Sequence, residues 1–180
     1  MTPAVADALT RAGRLVTYPG DTYADDVAAF VASVAPWLPE AARDLAAFAA
    51  QVAGLSVEEQ QELFTRTFDL NPVCALEAGW HLYGEDYERG AFLVEMRRQL
   101  RAHGIAEGGE LPDHLALLLA LVARLGSDDA DALVARALLP AVEKMLPSLE
   151  SGGSPFLPLV NAIRQVLAAC APAGQEVVHG

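Results

Sequence analysis

The stretch from Leu115 to Leu125, LALLLALVARL, is apolar nearly all the way round a helix. A helix of that kind has no face to give to water, so it must lie in the interior with other elements packed about it. It is expected to be the most buried helix of the chain. It falls well short of the ~18–20 apolar residues needed to cross a bilayer, as does every other apolar run. What surrounds it must also be helical. No run alternates apolar and polar residues for long enough to make a half-buried strand. The chain is 53% hydrophobic and rich in Ala and Leu, both strong helix formers. The fold class is therefore all-α, and 180 residues suffice for one domain with a sizeable core.

The supporting helices can be read in order. Residues 3 to 15 place Val5, Leu9 and Ala12 on one face. After the turn Tyr18–Asp21, Asp21 or Thr22 can cap a second helix with Val27, Phe30, Val31 and Val34 at helical spacing. Pro36 and Pro39 break it around Trp37. A third helix, from about Pro39 to Ala53, turns Leu45, Phe48, Ala49 and Val52 inward and stops at Gly54. Ser56 with Glu59 three residues on is a capping box, and the helix it opens runs through Phe68. Asn71–Pro72 starts a fifth helix ending at Tyr83–Gly84. Glu85–Asp86 opens a long helix that Gly104 ends.

Pro112 is expected in the first turn of the apolar helix. A helix with Asp128, Asp129 and Asp131 at its start follows, and Pro140 should kink or interrupt it. Glu150–Pro155 reads as a loop, followed by a last helix from about Phe156 to Ala171. The tail beyond Pro172 is expected to fray. The expectation is about nine helices in a single irregular bundle, residues 1–180 forming one domain.

Charge and composition exclude several function classes. Twelve Lys and Arg stand against 24 Asp and Glu, a net charge of −12. That argues against nucleic acid, which needs clustered cations, and against direct insertion into or attachment to an anionic membrane. An acidic protein can attract a basic partner; it can also simply stay soluble. The N-terminus has no basic flank, apolar core and cleavage site, so no secretory signal is expected. The two cysteines, Cys74 and Cys170, are read as free, buried thiols in a reducing cytoplasm. Four histidines and two separated cysteines make no metal motif. Asp113 and His114 are adjacent, so on a helix they would project about 100° apart and form no dyad. No nucleophile signature, Walker loop or GxGxxG occurs. The chain reads as a binder, not an enzyme, with no cofactor or metal of its own.

The unusual residue choices gather between Leu76 and Leu121, around two turns, Tyr83–Gly90 and His103–His114. Glu77, on an otherwise apolar helix, needs a partner, and Arg89 is the candidate for a structural ion pair. Trp80 and Tyr83 can be ordinary core aromatics. Gly84 and Gly90 can simply allow a tight turn and close helix packing. The bland and the functional readings both remain open on these grounds.

Thr67 to Leu121 also resembles the TorD/DmsD/NarJ family of chaperones dedicated to molybdoenzymes. The resemblance rests on Phe68-Asp69-Leu70, on Tyr83-Gly84-Glu85, on Glu88-Arg89-Gly90 leading into a long helix, and on Glu110 to Leu115, ELPDHL. The unbroken ELPDHL and TFDL are most similar to the NarJ, nitrate reductase assembly, branch. The resemblance implies an all-helical cytoplasmic chaperone without turnover. Its partner would be the N-terminal segment of a molybdoenzyme catalytic subunit, held before membrane attachment or export. The molybdenum bis-guanine-dinucleotide cofactor would belong to the client. The peptide site carried over is Leu111, Pro112, Asp113 and His114, with Glu77, Trp80, Tyr83 and Gly84. Trp80, Tyr83 and Leu111 would give apolar contact, while Asp113 and Glu85 would answer the peptide's cations. Long hinge loops such as 104–111 permit a domain-swapped dimer beside the monomer. The alternative is a small-molecule-binding helical regulatory domain, which needs a closed apolar pocket.

Overall fold

A computed structural model describes residues 1–170. The expected fraying beyond Pro172 lies outside them. The helices are α1 (Pro3–Leu15), α2 (Tyr23–Val34), α3 (Pro39–Val52), α4 (Val57–Phe64), α5 (Ala78–Tyr83), α6 (Tyr87–Ala102), α7 (Leu115–Val122), α8 (Ser127–Leu133), α9 (Leu139–Ser151) and α10 (Leu157–Ala168). Two π-helical turns extend α4 through Thr65–Asp69 and join α8 to α9 through Val134–Leu138. Counted as continuous rods there are nine among the described residues, in an all-α arrangement.

The apolar α7 sits where its sequence demands. It packs against α1, α6, α8 and the π turn Val134–Leu138, and Leu118, Leu119, Leu121 and Val122 are fully buried. α1 approaches it closely because Gly13 has no side chain. A Cβ there would stand 3.2 Å from the Ala116 carbonyl oxygen. Around this axis α1 packs on α2 and α10, α2 on α3, and α3 on α10. α10 packs on α9, and α9 carries α5, on which α6 rests. The buried apolar side chains form one contiguous cluster.

Most local signals hold. Both halves of the Ser56–Glu59 capping box are made, at 3.2 and 2.8 Å. α2 and α3 part around Trp37, whose Nε1 donates to the Ser33 carbonyl at 2.9 Å. Thr22 takes the N-cap position of α2, but its hydroxyl bonds to Asp26 and leaves the backbone uncapped. Gly104 ends α6 at φ 65°. Cys74 and Cys170 are both free; Cys74 is buried and Cys170 half-buried, its thiol pushed up to about 11 by burial.

Three expectations are corrected. The helix expected from Asn71 to Tyr83 is two pieces, a 3-10 turn at Pro72–Cys74 and the short α5, with extended backbone at Glu77 between them. The long helix begins at Tyr87, with Asp86 as its N-cap. Pro112 precedes α7 and does not lie in it; His114 is the N-cap. Pro140 does not end its rod; the α-helix is interrupted just before it, by the π turn Val134–Leu138, and Pro140 sits in the first turn of α9.

Candidate functional site

The site begins where two irregular segments cross. α7 starts at Leu115, so its first N–H groups need acceptors from outside the helix. Leu115 N–H donates to the Leu76 carbonyl at 2.8 Å, and Ala78 N–H donates to the Asp113 carbonyl at 2.9 Å. These two bonds make an antiparallel bridge between Glu77 and His114. Each helix thus lends its orphan N-terminal donor to the segment that leads into the other. His114 Nδ1 accepts from Ala116 N–H at 3.2 Å. In the neutral ring the proton is therefore on Nε2, which faces Glu110 at 3.8 Å. Burial holds His114 below the usual histidine range, against the opposing pull of Glu110, Glu77, Asp113 and Asp69.

Beside the crossing lies an open groove of about 460 Å³. Leu76, Glu77 and Ala75 form one wall, and Glu110 and His114 the other. Phe64, Phe68 and Asp69 close it at the end of α4, with Thr17 and Tyr18 from the turn after α1. The π turn widens the helix by one residue and brings Phe68 and Asp69 to the groove together. Tyr18 meets Phe64 edge-on at 6.0 Å, and Phe64 meets Phe68 at 5.0 Å. The lining carries three carboxylates and no lysine or arginine. Large apolar side chains stand exposed in the flanking segments: Leu70 (74%), Tyr18 (58%), Val73 (56%) and Leu111 (45%). The surface offers apolar contact and negative charge together.

Asp113 and Arg89 lie behind this groove. Asp113 is fully buried, and Arg89 donates to its Oδ2 from Nε at 3.4 Å and Nη2 at 3.5 Å. The ion pair expected between Glu77 and Arg89 is therefore corrected: Arg89 pairs with Asp113. Glu77 has extended backbone at the N-cap of α5, which turns it to the groove. Burial pushes the Asp113 carboxyl above its usual range, and Arg89 pulls against that. Arg89 also lies over the Trp80 ring at 5.6 Å. Room for the carboxylate comes from Gly79, where a Cβ would stand 2.6 Å from Asp113 Oδ2 and 3.0 Å from Phe92.

Residues 32–161 match the family model described as nitrate reductase delta subunit. The chain belongs to that family. The match takes in every groove residue except Thr17 and Tyr18. The chain is 30% identical over 92 residues to the nitrate reductase molybdenum cofactor assembly chaperone NarJ of Escherichia coli K12, and equally to that of Escherichia coli O157:H7. The aligned stretch is 51% of this chain and 39% of each relative.

The chain brings only part of the expected site together. Glu77 and His114 line the groove, and Leu111 is exposed in the same loop. Pro112 and Asp113 are buried beneath it. Trp80 donates from Nε1 to the Pro72 carbonyl at 2.9 Å and does not line it. Tyr83 packs against Phe92 at 5.7 Å and faces a separate, shallower hollow with Glu88, Glu95 and Arg136. Gly84 ends α5 at φ 57°, and Glu85 is exposed beyond it. Sequence reasoning missed Tyr18, Phe64, Phe68, Asp69 and Glu110 as site residues. Asp69 and Glu110 were within reach, since both stand in the motifs TFDL and ELPDHL. Tyr18 gave no signal beyond that of a turn.

Proposed function

We propose that this delta-subunit family member is an assembly chaperone. It binds the N-terminal segment of a nitrate reductase-like molybdoenzyme catalytic subunit in the groove between Glu77 and Glu110. It holds that subunit in the cytoplasm while the molybdenum cofactor is inserted, before membrane attachment or export. The observation that carries this reading is the groove itself. Its three carboxylates and exposed aromatic and aliphatic rim suit an amphipathic, positively charged helix or strand. The relatives' name, an assembly chaperone for nitrate reductase, supports the same reading. The cofactor would belong to the client, and no residue here is assigned to it. No helix among the described residues is long and apolar enough to cross a membrane.

Asp113 takes a different role from that expected of it. Its carboxylate is out of a peptide's reach, so Asp69, Glu77 and Glu110 answer the client's cations. The small-molecule reading asks for a closed apolar pocket, and an open, acid-walled groove does not supply one.

The test is calorimetry with a synthetic peptide copying the N-terminus of the client catalytic subunit, in rising salt. Glu77→Gln with Glu110→Gln is expected to weaken binding by about ten-fold, roughly 1.4 kcal/mol, and to flatten its salt dependence. Native affinity and an unchanged salt slope in that variant would sink the assignment of the groove.

A further inference from the structure

The two walls of the groove come from segments far apart in the chain, and neither is regular helix where they meet. The link between them is the pair of backbone bonds at Leu115 and Ala78. Two bonds at the edge of a solvated groove open easily unless the groups behind them are fixed. Arg89 stands at that place. On one side its guanidinium covers Trp80, and Trp80 is tied by its indole N–H to the Pro72 carbonyl, just before the wall at 75–77. On the other side it donates twice to Asp113, which is part of the wall at 110–114. Asp113 Oδ1 is buried with no hydrogen-bond partner among the described residues. The carboxylate is thus held through one oxygen, by Arg89. Arg89 does not itself line the groove.

We infer that Arg89 is a positioning residue for peptide binding: from behind the groove it sets the spacing of the two walls, through Trp80 and Asp113, without touching the client. The inference rests on the peptide-groove reading and deepens it. The shape of the group matters as well as its charge, because one guanidinium must lie over an indole and donate from two nitrogens to a carboxylate at once.

Three variants test this. Arg89→Met strands a buried carboxylate and loses stability for that reason alone. Arg89→Met with Asp113→Asn removes the stranded charge, so it folds and keeps the test decisive. Arg89→Lys keeps the charge and loses the two-nitrogen donor. The first readout needs no peptide: hydrogen exchange at the Ala78 and Leu115 amides. In the double variant both are expected to exchange about ten-fold faster than in the native chain, while amides inside α1 and α10 are unaffected. The second readout is affinity for the same synthetic N-terminal peptide, expected to fall about ten-fold in the double variant and less in Arg89→Lys. A purely structural role predicts that affinity returns with stability in the double variant; that result overturns the inference. Native-like protection of Ala78 and Leu115 overturns it too. If the native chain binds no peptide, the groove reading itself fails, and the exchange result alone reports whether Arg89 braces the walls.

Discussion

Where α3 meets α10, the fully buried side chains Leu45, Phe48, Ile163 and Val166 are hydrocarbon, and the polar contacts, Asn161 and Gln165 donating to Asp44 at 2.7 and 2.6 Å, are part-buried. Where residues 76–79 cross 113–115, buried Leu76, Ala78 and Leu115 stand beside a buried carboxylate, a buried imidazole and the part-buried guanidinium of Arg89. The first interface is stabilised chiefly by removing apolar area from water, which has no direction and tolerates rearrangement. The second depends on named donors meeting named acceptors, and each lost partner leaves a buried polar group unsatisfied. The groove proposed for the client peptide lies beside the second kind. Opening there exposes polar groups that water can satisfy, whereas opening α3 from α10 would expose core hydrocarbon.

The largest expected effect is on the supporting side. Phe30 of α2 is fully buried, and Phe30→Ala is expected to cost about 4 kcal/mol in urea unfolding, from lost burial plus the cavity left behind. Peptide affinity of the chain that remains folded should be native-like. A weakened affinity would break the division into support and site. Next comes Gly79→Ala, at the crossing. The added methyl would meet Asp113 Oδ2 at 2.6 Å, so the carboxylate must move off Arg89. The expected cost is about 2 kcal/mol, and here affinity should fall along with stability.

Acid sharpens the contrast further. His114 and His81 both titrate below the usual histidine range, chiefly because burial opposes the charged form. The unfolded chain therefore takes up protons first, near pH 6.5, and stability falls as pH drops from there towards the lowered folded values. The slope is at most about 1.4 kcal/mol per pH unit for each histidine. Asp113 runs the other way. Its raised value means the fold takes up a proton before the unfolded chain does, so its burial cost is relieved as pH falls towards 3.8. His114→Gln should remove its share of the decline between pH 6.5 and 5. An unchanged pH profile would place the imidazole in water.

The same division explains what was legible in the sequence. Core faces such as Val27–Phe30–Val34 and Leu45–Phe48–Val52 repeat at helical spacing, so their burial follows from order along the chain. The capping box at Ser56 is local and was legible for the same reason. The break at Glu77 was not. Its cause is the bridge to His114, a residue far along the chain, and local helix preference gives way to that pairing. Pairing Glu77 with Arg89 followed a correct rule, that buried charge needs a partner, to the wrong carboxylate. Asp113 is expected to answer a peptide's cations, and only the fold shows it buried. The π turn at Thr65–Asp69 leaves no mark on spacing, so Phe68 could be placed on a helix but not at the groove, and only the TFDL motif draws notice to Asp69.

Tyr18 separates the two kinds of contribution within the groove itself. It lies outside the family-matched span, is 58% exposed and meets Phe64 edge-on. Tyr18→Ala loses that contact and is expected to cost the fold no more than about 1 kcal/mol. Its effect should appear in binding, as a loss of apolar contact with the peptide. Apolar contact is not screened by ions, so the salt dependence of the remaining affinity should match that of the native chain. The carboxylate variants at Glu77 and Glu110 should do the reverse, keeping the apolar contact and flattening the salt response. If Tyr18→Ala flattens the salt response as well, the turn after α1 acts by holding Asp69 or Glu110 in place, and the apolar and acidic parts of the groove are one mechanical unit.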